Sequence, residues 1–101
     1  MTHEDERRVL HSFPYKEGEI KILIAKKDCE LGNHYHKIKT EKFRLIEGSA
    51  NMRNGNIKIN NMLTSSIHTV LPHDMHSFEI KKDSILFCVC SHPYNENDDY
   101  T

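Results

Sequence analysis

The sequence predicts an all-β fold, a barrel or sandwich built from short strands. Three observations carry this. No segment keeps a convincing helical hydrophobic period. Short runs of alternating or β-branched residues recur along the 101-residue chain, with turn residues between them. Asn54-Gly55 stands between two such runs, and this pair is the strongest short hairpin signal because both residues tolerate positive φ. Regular spacing of short strands indicates two packed β layers or a sheet closed on itself.

Taken in order, residues 1–8 read as a polar, frayed end. Val9 to Phe13 is a short strand stopped by Pro14. Glu19 to Ala25 alternates at Ile20, Ile22 and Ile24 and is rich in β-branched residues, so it is a strand. Its other face, with Leu23 and Ala25, is also apolar, where a half-buried strand would be more polar. That surplus predicts a homodimer formed through this region. Lys26 to Glu30 is a polar turn. Leu31 to His36 is the next strand, with Gly32 letting the backbone bend into it. Glu41 to Glu47 puts Glu41, Phe43 and Leu45 on one face and Lys42 and Arg44 on the other, and Gly48-Ser49 breaks it.

Ala50 to Arg53 and Ile57 to Ile59 flank the Asn54-Gly55-Asn56 turn. Ser66 to Leu71 is a strand running into Pro72, and Pro72 to Asp74 is a turn. His76 to Ile80 places His76, Phe78 and Ile80 on one face. Lys81 to Asp83 is an exposed turn, Ser84 to Ser91 is the last and most apolar strand, and residues 92–101 form a polar, acidic tail. The whole reads as a single domain over 1–101, with the barrel at about 9–91.

Composition narrows the function classes. Hydrophobic content is 37% and charged content 29%, as suits a small barrel whose strands alternate between interior and solvent. Net charge is −1 with no basic block, which excludes phosphate-tracking nucleic-acid binding. The longest apolar runs, Ile22 to Ala25 and Ile85 to Cys90, are too short to span a bilayer. The charged N-terminus lacks the apolar core of a secretory signal, so the expected location is the cytoplasm. Cysteines number three, Cys29, Cys88 and Cys90, and an odd count of this kind argues against a disulfide framework. Cys88 and Cys90 share a face of an apolar strand and read as small buried hydrophobes.

The chemistry concentrates around His34 and His36. At i and i+2 on a strand, both imidazoles leave one face and Tyr35 leaves the other. Laid beside the strand that opens with Glu41, the two histidines and the carboxylate converge. Two neutral nitrogens and a carboxylate suit a divalent first-row metal, with a further ligand to come from elsewhere. His68 lies near Pro72 and faces either way. His73 sits in a turn and is expected to be exposed.

The spacing His34-x-His36-x4-Glu41-x6-Gly48 resembles the first signature of the cupin superfamily, and Pro72-His73-Asp74-Met75-His76 resembles the second, with His73 where glycine often stands. The resemblance implies a cupin double-stranded β-helix, a jelly-roll type barrel, and supplies His76 as the fourth ligand. The implied set is His34, His36, Glu41 and His76 around Zn, Mn, Fe or Ni. Gly32 to His36, Thr40 to Phe43 and the tail Ser91 to Tyr100 also look like cupins of bacterial surface-sugar biosynthesis, among them the domain fused to capsular nucleotide-sugar reductases. That likeness implies a sugar or nucleotide-sugar as the small-molecule partner. It also implies an isomerase or epimerase working by proton transfer next to a carbonyl. With the histidines bound to metal, His68 or Tyr35 would carry the proton. Similar cupin keto-isomerases use the His-x-His pair itself, here His34 and His36, as acid and base without metal. Two further readings are a metal-dependent dioxygenase and a non-enzymatic sugar-binding module.

Overall fold

The computed structural model describes all 101 residues, and its fold is all-β with one short 3-10 turn. The strands are β1 (Thr2–Glu4), β2 (Arg8–Tyr15), β3 (Gly18–Ala25), β4 (Cys29–His34), β5 (Glu41–Glu47), β6 (Ala50–Asn54), β7 (Ile57–Ile59), β8 (His68–Val70), β9 (His76–Ile80) and β10 (Ile85–Cys90). The turn covers Glu96–Asp98. No helix is long and apolar enough to cross a membrane. A six-stranded sheet has the order β1-β2-β3-β10-β5-β8 and a four-stranded sheet the order β4-β9-β6-β7, with every pairing antiparallel. This is the cupin jelly-roll.

Alternation along the strands builds the core. Glu41, Phe43 and Leu45 of β5 are buried while Lys42, Arg44 and Ile46 are exposed. His76, Phe78 and Ile80 of β9 and Leu86, Cys88 and Cys90 of β10 likewise point inward. The inner faces of both sheets supply one cluster of 13 buried apolar residues, centred on Leu45, Met52, Phe78, Ile80 and Leu86.

Several elements differ from the sequence reading, each for a physical reason. Residues 1–8 are not frayed: β1 pairs with β2, and the Met1 ammonium donates to the Ser12 carbonyl at 2.8 Å. Every residue of β1 is exposed, so no hydrophobic alternation marks it in the sequence. β2 does not stop at Pro14. β1 reaches only as far as His11, so one side of β2 is free where proline lacks its N–H. β4 starts at Cys29, inside the expected turn, and ends at His34 rather than His36. The hairpin turn has Gly55 at its first central position with φ +59°, and Asn54 still pairs with Ile57. That places glycine where a type II′ turn requires it.

The two apolar faces of β3 separate cleanly. Ala25 lies in the core and Leu23 packs against it. Ile20, Ile22 and Ile24 lie on the outer face, in register with Val89, Phe87 and Ile85 of β10 and with Phe13, His11 and Val9 of β2.

Gly48, which ends β5, has φ +95°, and a Cβ there would sit 2.1 Å from Ser84 Oγ. That hydroxyl accepts from the Ser49 amide at 2.9 Å and donates to the Ser49 carbonyl at 3.1 Å. Gly48→Ala should therefore destabilise the barrel by about 1–3 kcal/mol, through backbone strain and the displaced serine. A denaturant midpoint equal to wild type would remove this role for Gly48.

Candidate metal centre

Three strands and the segment that follows β4 bring the site together. β5 carries Glu41 at its first position, β9 carries His76, β4 ends in His34, and His36 lies just beyond β4. Gly32 at φ +86° and Asn33 at φ +67° shift the β4–β9 register, so that Gly32 faces Ser77 but His34 faces His76. A bulge of this kind re-aims side chains next to a site. The ring centroids of His34 lie 4.8 Å from His36 and 4.6 Å from His76. One ligand atom from each of His34, His36, Glu41 and His76 falls within 4.8 Å of all the others.

Glu41 is the centre of this group and is almost wholly buried. Its Oε1 lies 3.1 Å from His36 Nε2 and 3.3 Å from His76 Nε2, yet no hydrogen bond is aligned on it. The imidazoles explain why. His36 Nδ1 is hydrogen-bonded to the Asp98 carbonyl, and His76 Nδ1 lies 3.1 Å from the Asp74 carbonyl. A carbonyl only accepts, so each Nδ1 carries the proton, and in the neutral rings each Nε2 presents a lone pair. Two lone pairs and a carboxylate oxygen then face one another in a buried space. Only a shared positive charge, a proton or a metal ion, makes that arrangement stable. Backbone carbonyls that hold the far nitrogen of a histidine are the usual support of a metal ligand. The donor set therefore fits a divalent ion.

The charges of the pocket are mutually adjusted. Burial opposes the charged form of Glu41, but the imidazoles of His36 and His76 and the ammoniums of Lys21 and Lys39 outweigh it and hold its carboxyl well below the usual carboxylate range. For His36, burial is outweighed by the Glu41 carboxylate and the Asp98 carbonyl, which raise its pKa. His34 goes the other way. Burial, followed by the charge of His76, pushes it down to about 4 despite Asp99 beside it.

The C-terminal segment is part of the site. The Asp98 carboxylate accepts from the backbone amides of Lys37, Ile38 and Lys39 at 2.8–3.3 Å. Asp99 Oδ1 lies 3.2 Å from His34 Nδ1. Tyr100 exchanges both backbone hydrogen bonds with Tyr35 and stacks on its ring at 5.3 Å. The tail thus holds the His34–Lys39 segment from outside.

A cavity of about 190 Å³ opens onto the centre, lined by apolar Leu10, Leu23, Phe78 and Leu86 and by Lys21, Lys39, Tyr94 and Asp99. Of the residues singled out from sequence, His34, His36, Glu41 and His76 come together here. Tyr35 and His68 do not line the cavity: Tyr35 is engaged with Tyr100, and His68 lies on β8 opposite Phe43. His73 is exposed at φ +74°, keeping the left-handed turn that glycine would otherwise make. Arg44 points outward and donates to the Thr64 carbonyl at 2.8 Å. Sequence reading missed Asp98, Asp99, Lys21 and Lys39. The adjacent Asp98-Asp99 pair was the only signal, and nothing local says that the tail returns to His36.

Fold and site together define a cupin barrel with a 3-His-1-carboxylate cluster. The profile of the polysaccharide biosynthesis C-terminal domain family matches residues 3–89, and the chain belongs to that family. A search of the curated proteins found no match. Among solved structures, the capsular polysaccharide assembling protein CapF from Staphylococcus aureus superposes with TM-score 0.86 at 20% identity, over 99% of this chain. The match covers 31% of CapF, so the chain spans about a third of that protein's length. An RmlC-like cupin protein from Desulfovibrio desulfuricans gives TM-score 0.73 at 17% identity, over 90% of this chain and 88% of its own. Pac13 from Streptomyces, a nucleoside dehydratase, gives TM-score 0.71 at 10% identity, over 98% of this chain and 81% of its own.

The balance around His34 gives a direct expectation. In the metal-free protein His34 should titrate at about 4 and stay neutral at neutral pH. Imidazole chemical shifts followed through a pH titration measure this. A midpoint for His34 near the ordinary 6.5 would contradict the description of its surroundings.

Proposed function

We propose that this chain is a cytoplasmic, metal-binding cupin unit that binds or acts on a sugar or nucleotide-sugar, as an isomerase or epimerase moving a proton next to a carbonyl. The observation that carries the metal is Glu41 Oε1, buried between two Nε2 atoms with no aligned hydrogen bond on it. His34, His36, His76 and Glu41 would hold the ion. Mn, Fe, Ni and Zn all accept this donor set. When bound, such an ion polarises a carbonyl oxygen as a Lewis acid.

The substrate class rests on the family and on what the neighbours are named for, capsular polysaccharide assembly and nucleoside dehydration. A cavity of about 190 Å³ is smaller than the ~300–1,000 Å³ of sites for drug-sized ligands, so it suits one sugar ring, with any nucleotide outside. The apolar wall of Leu10, Leu23, Phe78 and Leu86 keeps water from the ring, and the polar groups at the centre orient it. Tyr35 and His68 stand outside this cavity; of the groups that line it, the Asp99 carboxylate would accept the proton and the Tyr94 hydroxyl or the Lys39 ammonium would return one.

One observation favours a second reading. Asp99 lies against Nδ1 of His34, the geometry of a carboxylate orienting a general base. In that metal-free version His34 and His36 are the acid and base and Glu41 only balances charge.

Metal content and melting temperature separate the two. In the metal reading the wild type contains stoichiometric ion, and chelator lowers its melting temperature because metal binding is folding free energy. His76→Ala loses or loosens the ion, keeps the barrel, and melts alike with and without chelator. In the metal-free reading chelator changes nothing, His34→Ala and His36→Ala abolish turnover, and Glu41→Gln is tolerated. Asp98→Ala should loosen metal binding about 10–100-fold by freeing the segment that carries His36. An unchanged affinity by calorimetry would rule out that support.

Protons should compete with the ion for His36 first, since its pKa is raised and that of His34 is lowered. Metal affinity should therefore fall as pH drops through the His36 value, well before His34 titrates. Affinity constant from pH 8 to pH 5 would contradict this.

We further propose a homodimer through the outer face of β3 and its neighbours. Ile20, Ile22, Ile24, Phe87 and Val89 form a contiguous apolar patch there, of the kind that marks an interaction surface. Light scattering should report a dimer for the wild type and a monomer for Ile22→Glu. A monomeric wild type at micromolar concentration ends this reading.

A further inference from the structure

Glu41 has a second side, and it faces sulfur. Its Oε2 lies 3.5 Å from Cys88 Sγ and 3.5 Å from Cys90 Sγ, and the two sulfurs are 3.6 Å apart. The register explains the grouping. Cys88 and Cys90 are two apart on β10, so they share its inner face, and Cys90 stands directly opposite Glu41 of β5. All three groups are buried, and the other carboxylate oxygen is turned toward His36 and His76.

The size of this triangle is informative. A tetrahedral ion with bonds of ~2.3 Å to sulfur and ~2.0 Å to oxygen needs edges of ~3.7 Å between sulfurs and ~3.5 Å from sulfur to oxygen. The three atoms therefore already span one face of such a tetrahedron. Charge closes as well. Two thiolates and the Glu41 carboxylate carry three negative charges, and a divalent ion with the Lys21 ammonium, 3.8 Å from Oε2, carries three positive. A buried cluster is stable when its charges are matched in this way. Cys88 lines the cavity, which gives an ion a route in and leaves the fourth position to water.

We propose that Cys88, Cys90 and Oε2 of Glu41 form a second metal site, for a thiophilic d10 cation such as Zn²⁺, with Glu41 shared between it and the histidine cluster. On binding, each thiol loses its proton to solvent and two metal–sulfur bonds form, with no change of oxidation state. Its two sulfur ligands take no part in the histidine cluster, so a thiolate-specific signal tests this site apart from the function proposed above.

The test is a titration of the reduced, metal-stripped full chain with Cd²⁺, read by the ultraviolet thiolate-to-cadmium charge-transfer band. Ligation by nitrogen and oxygen alone gives no such band. The wild type should develop it to saturation, His76→Ala and Cys29→Ser should keep it, and Cys88→Ser/Cys90→Ser should lose it. The proposal is overturned if folded wild type shows no band at saturating Cd²⁺, if the band survives in the double serine variant, or if it vanishes in Cys29→Ser. Should the double variant fail to fold, thiol counting on the wild type decides. In denaturant that exposes these buried thiols in the metal-free protein, Cd²⁺ should slow the reaction of two of them with a disulfide reagent, and slowing of none overturns the site.

Discussion

A carboxylate inside a small barrel needs positive charge next to it, and most of the polar structure of this protein follows from Glu41. Lys21 reaches to 3.8 Å of one oxygen, and two imidazoles reach to 3.1 and 3.3 Å of the other. Leaving such a group buried without a partner is among the more destabilising things a fold can do. The partners are long or planar side chains that must be held in place. Much of the surrounding backbone does that holding: the bulge at Gly32–Asn33, the turn at Pro72–Asp74 and the returning tail.

The tail shows how far this support extends. Asp98 takes three amides with its carboxylate and His36 with its carbonyl. One residue therefore fixes both the path of the 37–39 segment and the tautomer of a histidine in the centre. Asp99 does the corresponding work for His34 from the next position. Asp98 closes the 3-10 turn and Asp99 resumes extended backbone, so the division falls where the backbone changes conformation.

The sequence made the short-range part of this legible. His34 and His36 at i and i+2, and Glu41 with Phe43 and Leu45, declare a shared inward face through period alone. His76 was reached only by resemblance, since its partners lie on other strands. His36 itself fell outside the strand expected for it, because the bulge ends β4 two residues early and the tail takes over the pairing at Tyr35. Asp98 lies 62 residues from His36. No local pattern records such a closure, and a polar tail looks the same whether it is docked or free. β1 escaped notice for a related reason: an edge strand with both faces in water keeps no alternation to read.

Pairing register then decides where the charged groups sit relative to the core. Across the larger sheet, Glu19, Cys90 and Glu41 stand in one row; Lys21, Cys88 and Phe43 in the next; and Leu23, Leu86 and Leu45 in the third. Across the smaller sheet, His34, His76 and Asn54 form one row; Leu31, Phe78 and Met52 the next; and Cys29, Ile80 and Ala50 the third. Both sheets run from polar to apolar over the same few residues. The polar rows meet at one end of the barrel and the apolar rows at the other. A slip by one residue would turn every inner side chain outward. A slip by two would keep them inside but set charged rows against leucines. The apolar end therefore holds the strands in the one register that brings His34, His76 and Glu41 face to face. Stability supplied there is what allows the other end to keep its converging lone pairs.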